Sequence, residues 1–143
     1  MVTEEDRALL AAALDAQSRA YCPFSRYPVG AAVRTACGKV YTGCNVESAS
    51  FSLTCCAERV AVFKAVSDGY RDLVACSIVT SDRTPAPPCG ACRQVLYEFG
   101  RSMRIVLGNP EGEVRISQIS DLLPDGFTPE HLLSRTEVAE ELD

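Results

Sequence analysis

The 143-residue sequence lacks the features that mark membrane, secreted and nucleic-acid-binding proteins. It has no run of about 18 apolar residues that could cross a bilayer. Its first residues, MVTEEDRALL, are acidic, whereas a secretory signal peptide begins with basic residues. Lys and Arg number 14 against 19 Asp and Glu, and the net charge of −5 argues against a general electrostatic footprint for nucleic acid. We therefore expect a cytoplasmic protein that binds neither membranes nor nucleic acid.

Histidine is scarce in this chain and cysteine is abundant. The one histidine, His131, lies in the polar stretch TPEHLL, where a lone histidine is more often solvated than bound to a metal. Eight cysteines in a reducing compartment favour thiols, metal sites or catalysis over a disulfide framework. Any metal site in this chain is therefore expected to use mainly thiol ligands.

The hydrophobic pattern predicts one α/β domain over residues 1–143, without internal repeats. A first helix is predicted at 4–20 and a third at 90–99. Between them, a second helix is predicted to begin after an N-cap at Thr54 and to end at Gly69, and two short helices are predicted near the end of the chain. Strands are predicted within 27–47, 73–81 and 103–115. Strands that alternate with helices favour a sheet that is covered on both faces.

Apolar residues at helical spacing indicate which helix faces are buried. In the first helix the expected buried stripe contains Leu9, Leu10, Ala13 and Leu14. In the second helix, the residues expected at core positions are Val60, Phe63, the stem of Lys64, and either Ala65 or Val66.

Residues 88–93, PCGACR, contain a Cys-x-x-Cys pair, which can supply half of a tetrahedral metal shell or form a redox disulfide. The segment TCCAER, residues 54–59, begins the second predicted helix as Cys89 begins the third. Two helix N-termini could thus converge on one ion, where their dipoles favour thiolates. Either Cys55 or Cys56 could supply a third thiol. The isolated cysteines are expected to be small apolar fillers: Cys22, Cys37, Cys44 and Cys76.

The motif CAE, followed about thirty residues later by PCGAC, resembles the zinc signature of the cytidine deaminases. The segments CPFSRYPVGAA, GCNVESAS and CGACRQVLYEFG also resemble the small free-nucleoside members of this family, and the likeness extends from about residue 4 to residue 133. It implies a three-layer α/β/α sandwich with a central mixed five-stranded sheet, and one Zn²⁺ per chain. It also implies hydrolytic deamination of cytidine and 2′-deoxycytidine in pyrimidine salvage, by a homotetramer with shared active sites.

The resemblance also implies roles for individual residues. Cys56, Cys89 and Cys92 match the zinc ligands, since the C-A-E spacing selects Cys56 over Cys55, and Glu58 matches the catalytic acid and base. Asn45 and Glu47 match residues that bind the ribose 3′-hydroxyl. The other implied contacts are the Phe24 ring against the base, the Ala57 N–H to the pyrimidine O2, the Pro88 carbonyl to the exocyclic amine, and Phe127 in a neighbouring subunit's site.

Two arginines follow the proposed ligands at helical spacing. Three thiolates around Zn²⁺ leave one excess negative charge, which opposes ionisation of a bound water. Arg59 and Arg93 lie three and four residues after Cys56 and Cys89, so both guanidinium groups are expected over ligand sulfurs. The alternative is that both are ordinary solvated helix residues.

One departure from the family and three other functions remain open. Phe51 stands where many relatives have tyrosine, which puts a polar contact to the sugar or across a subunit interface in doubt. A deaminase of a nucleotide or of a cytosine nucleoside antibiotic would share the zinc signature, although a phosphate would require an added basic cluster. A polynucleotide editor would require a positive channel, and a structural zinc module would require a fourth Cys or His ligand.

Overall fold

The computed structural model describes residues 1–133, so the last ten residues of the expected domain lie outside the described part of the chain. The helices are α1 (Glu4–Gln17), α2 (Ala57–Ser67), α3 (Gly90–Phe99), α4 (Ile119–Leu122) and α5 (Pro129–Leu133), with a single 3₁₀ turn at Phe51–Leu53. The strands are β1 (Gly30–Thr35), β2 (Val40–Cys44), β3 (Leu73–Val79), β4 (Arg104–Gly108) and β5 (Val114–Gln118).

The five strands form one mixed sheet in the order β2-β1-β3-β4-β5. β3 and β4 are parallel and are joined through α3, while the other neighbouring pairs are antiparallel. The predicted turns are confirmed at Gly38 and Gly112, whose φ angles of 94° and 89° lie in the left-handed region that favours glycine. The expected mixed five-stranded sheet is therefore present.

Alternate residues of the central strands point to opposite faces of the sheet. On one face, Ala32 of β1 and Ala75 of β3 pack against Leu9 and Ala13 of α1. On the other face, a larger cluster joins the sheet to α2, α3 and α4; its strand members include Ala31, Val33, Ile78, Ile105 and Leu107. Helices thus cover both faces, as the alternating pattern predicted.

The sheet and its helices approach each other closely at two glycines. A Cβ atom on Gly30 would lie 1.9 Å from the Ala13 carbonyl oxygen of α1, and one on Gly43 would lie 2.4 Å from the Ala57 carbonyl oxygen of α2. Neither contact leaves room for a side chain. Gly43 therefore lets the first turn of α2 lie directly on the edge strand β2.

Three details of the predicted helices are wrong. α1 ends at Gln17 because the N–H groups of residues 18–20 bond to carbonyls three residues back, which tightens the turn. The N-cap of α2 is Cys56, because Thr54 instead accepts a hydrogen bond from the Ser48 N–H at 3.1 Å. Leu14 and Phe63 are 46% and 49% exposed.

The buried face of α2 differs from the predicted one for a steric reason. The buried residues of this helix are mostly small: Ala57, Glu58, Ala61, Val62 and Ala65. Since α2 lies so close to β2, the contact face has no room for a phenyl ring, and Phe63 points outward.

None of the described helices is long and apolar enough to span a membrane.

Candidate active site

The N-termini of α2 and α3 present their cysteines in the same way. Cys56 and Cys89 are the N-cap residues of the two helices, and neither side chain caps its own helix. Cys92 lies three positions after its N-cap, where a side chain approaches that of the N-cap residue. Both thiols of the Cys-x-x-Cys pair are therefore available on one side of the helix start.

The structure brings Cys56, Cys89 and Cys92 together, with their Sγ atoms all within 4.8 Å of one another. The Sγ atoms of Cys56 and Cys89 are 3.9 Å apart. Tetrahedral zinc with Zn–S bonds of about 2.3 Å places its sulfurs about 3.8 Å apart. The cluster therefore fits a zinc ion, and Cys55, the rival for the first position, is outside it.

The thiols of Cys56 and Cys92 differ in acidity because their pKa values shift in opposite directions. A hydrogen bond with Cys92 and the Arg59 guanidinium, opposed by burial, lower the pKa of Cys56 to about 5. The shared proton and burial raise the pKa of Cys92. Arg59 Nη2 donates to Cys56 Sγ at 3.3 Å. Arg59 follows Cys56 by three residues, which is the same spacing that brings Cys92 to Cys89. Arg59 thus supplies a positive charge to the thiol cluster.

Glu58 lies beside this cluster and is only 5% exposed. Cys92 Sγ lies 3.6 Å from Glu58 Oε2. Burial raises the pKa of the Glu58 carboxyl, and the nearby Cys56 thiolate adds to the effect. A carboxyl with a raised pKa next to a metal site can both accept and donate a proton near neutral pH.

Cys56, Cys89 and Glu58 face a cavity of about 440 Å³. Its size suits a small organic ligand. The wall is built from the segment before β1, the start of α2, the end of β3 and the loop before α3. The lining residues are Ser25, Tyr27, Val29, Asn45, Glu47, Thr54, Cys56, Ala57, Glu58, Ile78, Thr80, Ala86, Pro87 and Cys89.

Asn45 and Glu47 are placed in the cavity wall by the backbone of Val46. Val46 pairs with Tyr21 on one side and with Cys55 on the other, so the residues before and after it point the same way. Asn45 bonds through both side-chain ends to the backbone of Tyr27 and Val29, at 2.8 and 2.9 Å. One amide hydrogen and one carbonyl lone pair of Asn45 remain for a ligand.

The Glu47 carboxylate holds the segment that carries Phe24. It accepts hydrogen bonds from the N–H groups of Phe24 and Ser25, at 3.0 and 3.1 Å, and from the Ser25 hydroxyl. The Ser25 hydroxyl bond is the main cause of the lowered pKa of Glu47. The side chain is therefore a fixed negative charge at the mouth of the cavity.

The three aromatic residues singled out in the sequence lie outside the cavity itself. Phe24 and Phe51 form an edge-to-face pair, with ring centroids 5.6 Å apart, in an adjoining pocket that also contains Ser25, Glu47 and Thr54. Phe127 is 54% exposed and stacks on His131 at 5.3 Å, and it does not contribute to this lining. His131 is likewise outside the thiol cluster.

Arg93 differs from the sequence expectation. Its Nε donates to the Pro88 carbonyl and its Nη1 to the Leu122 carbonyl, both at 2.8 Å. The Arg93 guanidinium thus ties α3 to the preceding loop and to the end of α4. Of the two arginines, Arg59 makes the expected hydrogen bond to a ligand sulfur and Arg93 bonds to these carbonyls instead. Pro88 is fully buried, and its carbonyl keeps one lone pair.

Sequence reasoning missed several residues of the cavity wall, notably Tyr27, Ile78 and Thr80. They lie in the segment before β1 or at the end of β3, and an apolar strand sequence carries no sign of which residues border a cavity. Tyr27 donates its hydroxyl to Asp82, and burial is the first cause of its raised pKa.

Comparisons with known proteins agree with this geometry. Residues 3–109 match the family model for the cytidine and deoxycytidylate deaminase zinc-binding region. A cytidine deaminase from Halalkalibacterium halodurans is 46% identical over 125 residues, which cover 87% of this chain and 95% of the relative. A probable cytidine deaminase from Dictyostelium discoideum is 42% identical over 96% of this chain and 93% of its own length.

The fold has the same relatives. The crystal structure of a cytidine deaminase from Burkholderia pseudomallei superposes with a TM-score of 0.82 at 48% identity, covering 85% of this chain and 98% of that one. The three-layer fold, the zinc-compatible thiols and the match over most of the sequence all lead to one conclusion. The chain belongs to the cytidine and deoxycytidylate deaminase family, whose members are zinc-dependent hydrolytic deaminases.

Proposed function

We propose that the protein deaminates cytidine and 2′-deoxycytidine to uridine and 2′-deoxyuridine, with water as co-substrate and ammonia as product. The observation that carries this proposal is the buried Glu58 carboxyl, 3.6 Å from Cys92 in a thiol cluster with zinc spacing, in the wall of a nucleoside-sized cavity.

Cys56, Cys89 and Cys92 would hold the zinc. When bound there, zinc supplies Lewis-acid activation of a water molecule. Glu58 takes a proton from the water whose oxygen bonds to C4 of the pyrimidine, and delivers it to N3. It then moves the second proton of that oxygen to the amine, so the C4–N bond breaks and ammonia leaves as the C4 carbonyl forms. The raised pKa of Glu58 supports this double role, since the same group must be a base and then an acid.

Groups around the cavity suit the cytosine ring. Ala57 is the first residue of α2, where a backbone N–H has no acceptor within the helix, so it can donate to the pyrimidine O2. The free lone pair of the Pro88 carbonyl can accept the exocyclic amine. Phe24 packs at the edge of the base from the adjoining pocket.

Charge at the cavity favours a nucleoside over a nucleotide. Asn45 keeps a donor and an acceptor for the ribose 3′-hydroxyl, and Glu47 offers a carboxylate. None of the lining residues, all within the described part of the chain, is Lys or Arg. A phosphate next to the Glu47 carboxylate would be repelled without a compensating cation.

Exposed aromatic rings support a proposal on assembly, and free thiols support one on location. Phe51, Phe63 and Phe127 are between 49% and 72% exposed, and such aromatic surface suits contacts between subunits. We propose a homotetramer in which Phe127 completes a neighbour's site. The eight free thiols favour the reducing cytoplasm, where the reaction would serve pyrimidine salvage.

The test is ammonia release by the zinc-loaded protein from cytidine, 2′-deoxycytidine and their 5′-monophosphates. We expect turnover of both nucleosides and little of the monophosphates. A zinc-loaded protein that leaves both nucleosides unchanged would refute the proposal. Faster turnover of the monophosphates, or of a cytosine nucleoside antibiotic, would shift it to the alternative substrate.

A further inference from the structure

Thr80, the residue directly after β3, is a buried polar residue in the cavity wall. The side chain is 4% exposed, and its hydroxyl forms no hydrogen bond with any described residue. Its polar neighbour is the Tyr27 hydroxyl, which donates to Asp82 instead. Thr80 lies near enough to Tyr27 to act as a hydrogen-bonding neighbour that opposes the rise in the Tyr27 pKa, yet the Thr80 hydroxyl does not reach hydrogen-bond geometry with any described residue.

Other buried hydroxyls of the central sheet are paired. Thr35, which is 2% exposed at the far end of β1, accepts a hydrogen bond from the Lys39 N–H at 3.0 Å. Ser77 of β3 donates to the Leu9 carbonyl at 2.8 Å. Because an unpaired buried hydroxyl lowers stability, Thr80 stands out as a buried hydroxyl that lacks a partner among residues 1–133.

The position of Thr80 indicates which part of a ligand it faces. The loop 81–88 begins directly after Thr80, supplies Ala86 and Pro87 to the cavity wall, and leads into Cys89, the N-cap of α3. Ser25, Glu47 and Thr54, by contrast, also belong to the adjoining outer pocket at the sugar end. Thr80 does not border that outer pocket, and its neighbour Tyr27 is close enough to Glu58 for the carboxylate charge to help raise the Tyr27 pKa. Thr80 therefore belongs to the inner part of the cavity, where the ring that reacts must be held.

We propose that the Thr80 hydroxyl hydrogen-bonds to the cytosine ring of the bound nucleoside and is a specificity-determining residue. The inference rests on the proposed deaminase function. A hydroxyl can donate to the ring carbonyl or accept from the exocyclic amine. Rotation about the Cα–Cβ bond exchanges the threonine hydroxyl and methyl between staggered positions, which lets the hydroxyl turn to a ligand.

The test compares Thr80→Val, which replaces the hydroxyl by a methyl of similar size, with Thr80→Ser, which keeps it. We expect Thr80→Val to melt at the same or a higher temperature than the wild type without ligand, since it removes an unpaired polar group. Its KM should rise about 3- to 10-fold for both cytidine and 2′-deoxycytidine. Thr80→Ser should keep KM within about twofold of the wild type, because its hydroxyl can still pair with the ring.

Thr35→Val is the matched control, because it removes a hydroxyl that already has a partner. It should lower the melting temperature and leave KM unchanged. If Thr80→Val does not accumulate as folded protein, Thr80→Ala and Thr80→Ser give the same comparison of hydroxyl against none.

Three results would overturn the inference. A lower melting temperature of Thr80→Val would show a partner within the protein. An unchanged KM would show no contact with the ligand, and a rise with cytidine alone would place the contact at the ribose 2′-hydroxyl. Each of these requires an active wild type, so they differ from failure of the deaminase proposal, in which the wild type itself releases no ammonia.

Discussion

Glu58 is the single residue on which the proposed chemistry depends most. Glu58→Gln keeps the size of the side chain and removes the titrating group. We expect kcat to fall by about 10³-fold, since proton transfer to N3 loses its carrier. Ammonia release and zinc content per chain are the measurements. Glu98→Gln, on the exposed face of α3, is the control and should retain full activity. Near-normal turnover of Glu58→Gln with full zinc would show that another group moves the proton.

Arg59 sets the charge of the thiol cluster from a distance of 3.3 Å. In metal-free protein the pKa of Cys56 is about 5, and Arg59→Gln should raise it by about one unit, because the thiolate loses an adjacent cation. The ultraviolet absorbance of thiolate against pH measures this, with Cys56→Ser as the reference that identifies its contribution. Arg59→Lys keeps the charge and should shift the midpoint less. Equal midpoints in the wild type and Arg59→Gln would mean that Arg59 only packs against the cluster.

The residues of the site differ in how far the sequence could predict them. Cys56, Glu58, Cys89 and Cys92 belong to two short motifs with fixed helical offsets, so local geometry and resemblance could predict that these side chains lie together. Thr80 is brought to the cavity by pairing between distant strands, which no local pattern records.

At the scale of elements, Asp6 joins the first turn of α1 to β4. Its side chain is 2% exposed, accepts from the Thr3 N–H in a capping box, and binds Arg104 through both carboxylate oxygens at 2.8 and 2.9 Å. The Arg104 hydrogen bond is the main cause of a pKa well below the usual carboxyl range. The stabilisation is therefore complete above the unfolded-state pKa of about 3.9 and is lost as the pH falls toward the lower folded-state value.

Asp6→Asn should accordingly lower the free energy of unfolding by about 2 kcal/mol at neutral pH. The difference from the wild type should shrink below about pH 4, because the wild-type carboxyl becomes protonated there as well. Urea unfolding at several pH values measures both effects. Asp15→Asn, which breaks an exposed pair with Arg19, should cost less than about 0.5 kcal/mol. A gap between Asp6→Asn and the wild type that stays constant down to pH 3 would contradict the electrostatic explanation.

The sequence could predict which segments form helices and which form strands of the sheet, because caps, turns and periodicity are local signals. Gly69, for example, follows the end of α2 with a φ of 96°. The buried face of α2 was not predictable from hydrophobicity, since its contact with Gly43 selects alanines over the larger Phe63. The distance between helix and strand, a property of the assembled layers, decided that outcome.

At the scale of the whole molecule, Phe127 tests the proposed assembly. Gln94 bonds to both the N–H and the carbonyl of Phe127, at 3.3 and 2.8 Å, which holds the backbone that carries the exposed ring. The ring itself stacks on His131. Such a fixed aromatic group is a typical anchor of an interface. We expect the native protein to elute as a tetramer and Phe127→Ala to raise KM for cytidine about tenfold, with its circular dichroism unchanged. A monomer with full activity would contradict the shared site.

The thiol cluster also has a consequence in polymer terms. Cys56 and Cys89 are 33 positions apart in the chain, and α2, β3 and the loop 81–88 lie between them. An ion that bridges the two ends closes this stretch into a ring, and the chain entropy lost on closure depends only weakly on ring size. Metal binding would thus be thermodynamically coupled to the docking of α2 beside α3. The same ion that prepares the site for chemistry would serve as a reversible crosslink across nearly a quarter of the polypeptide.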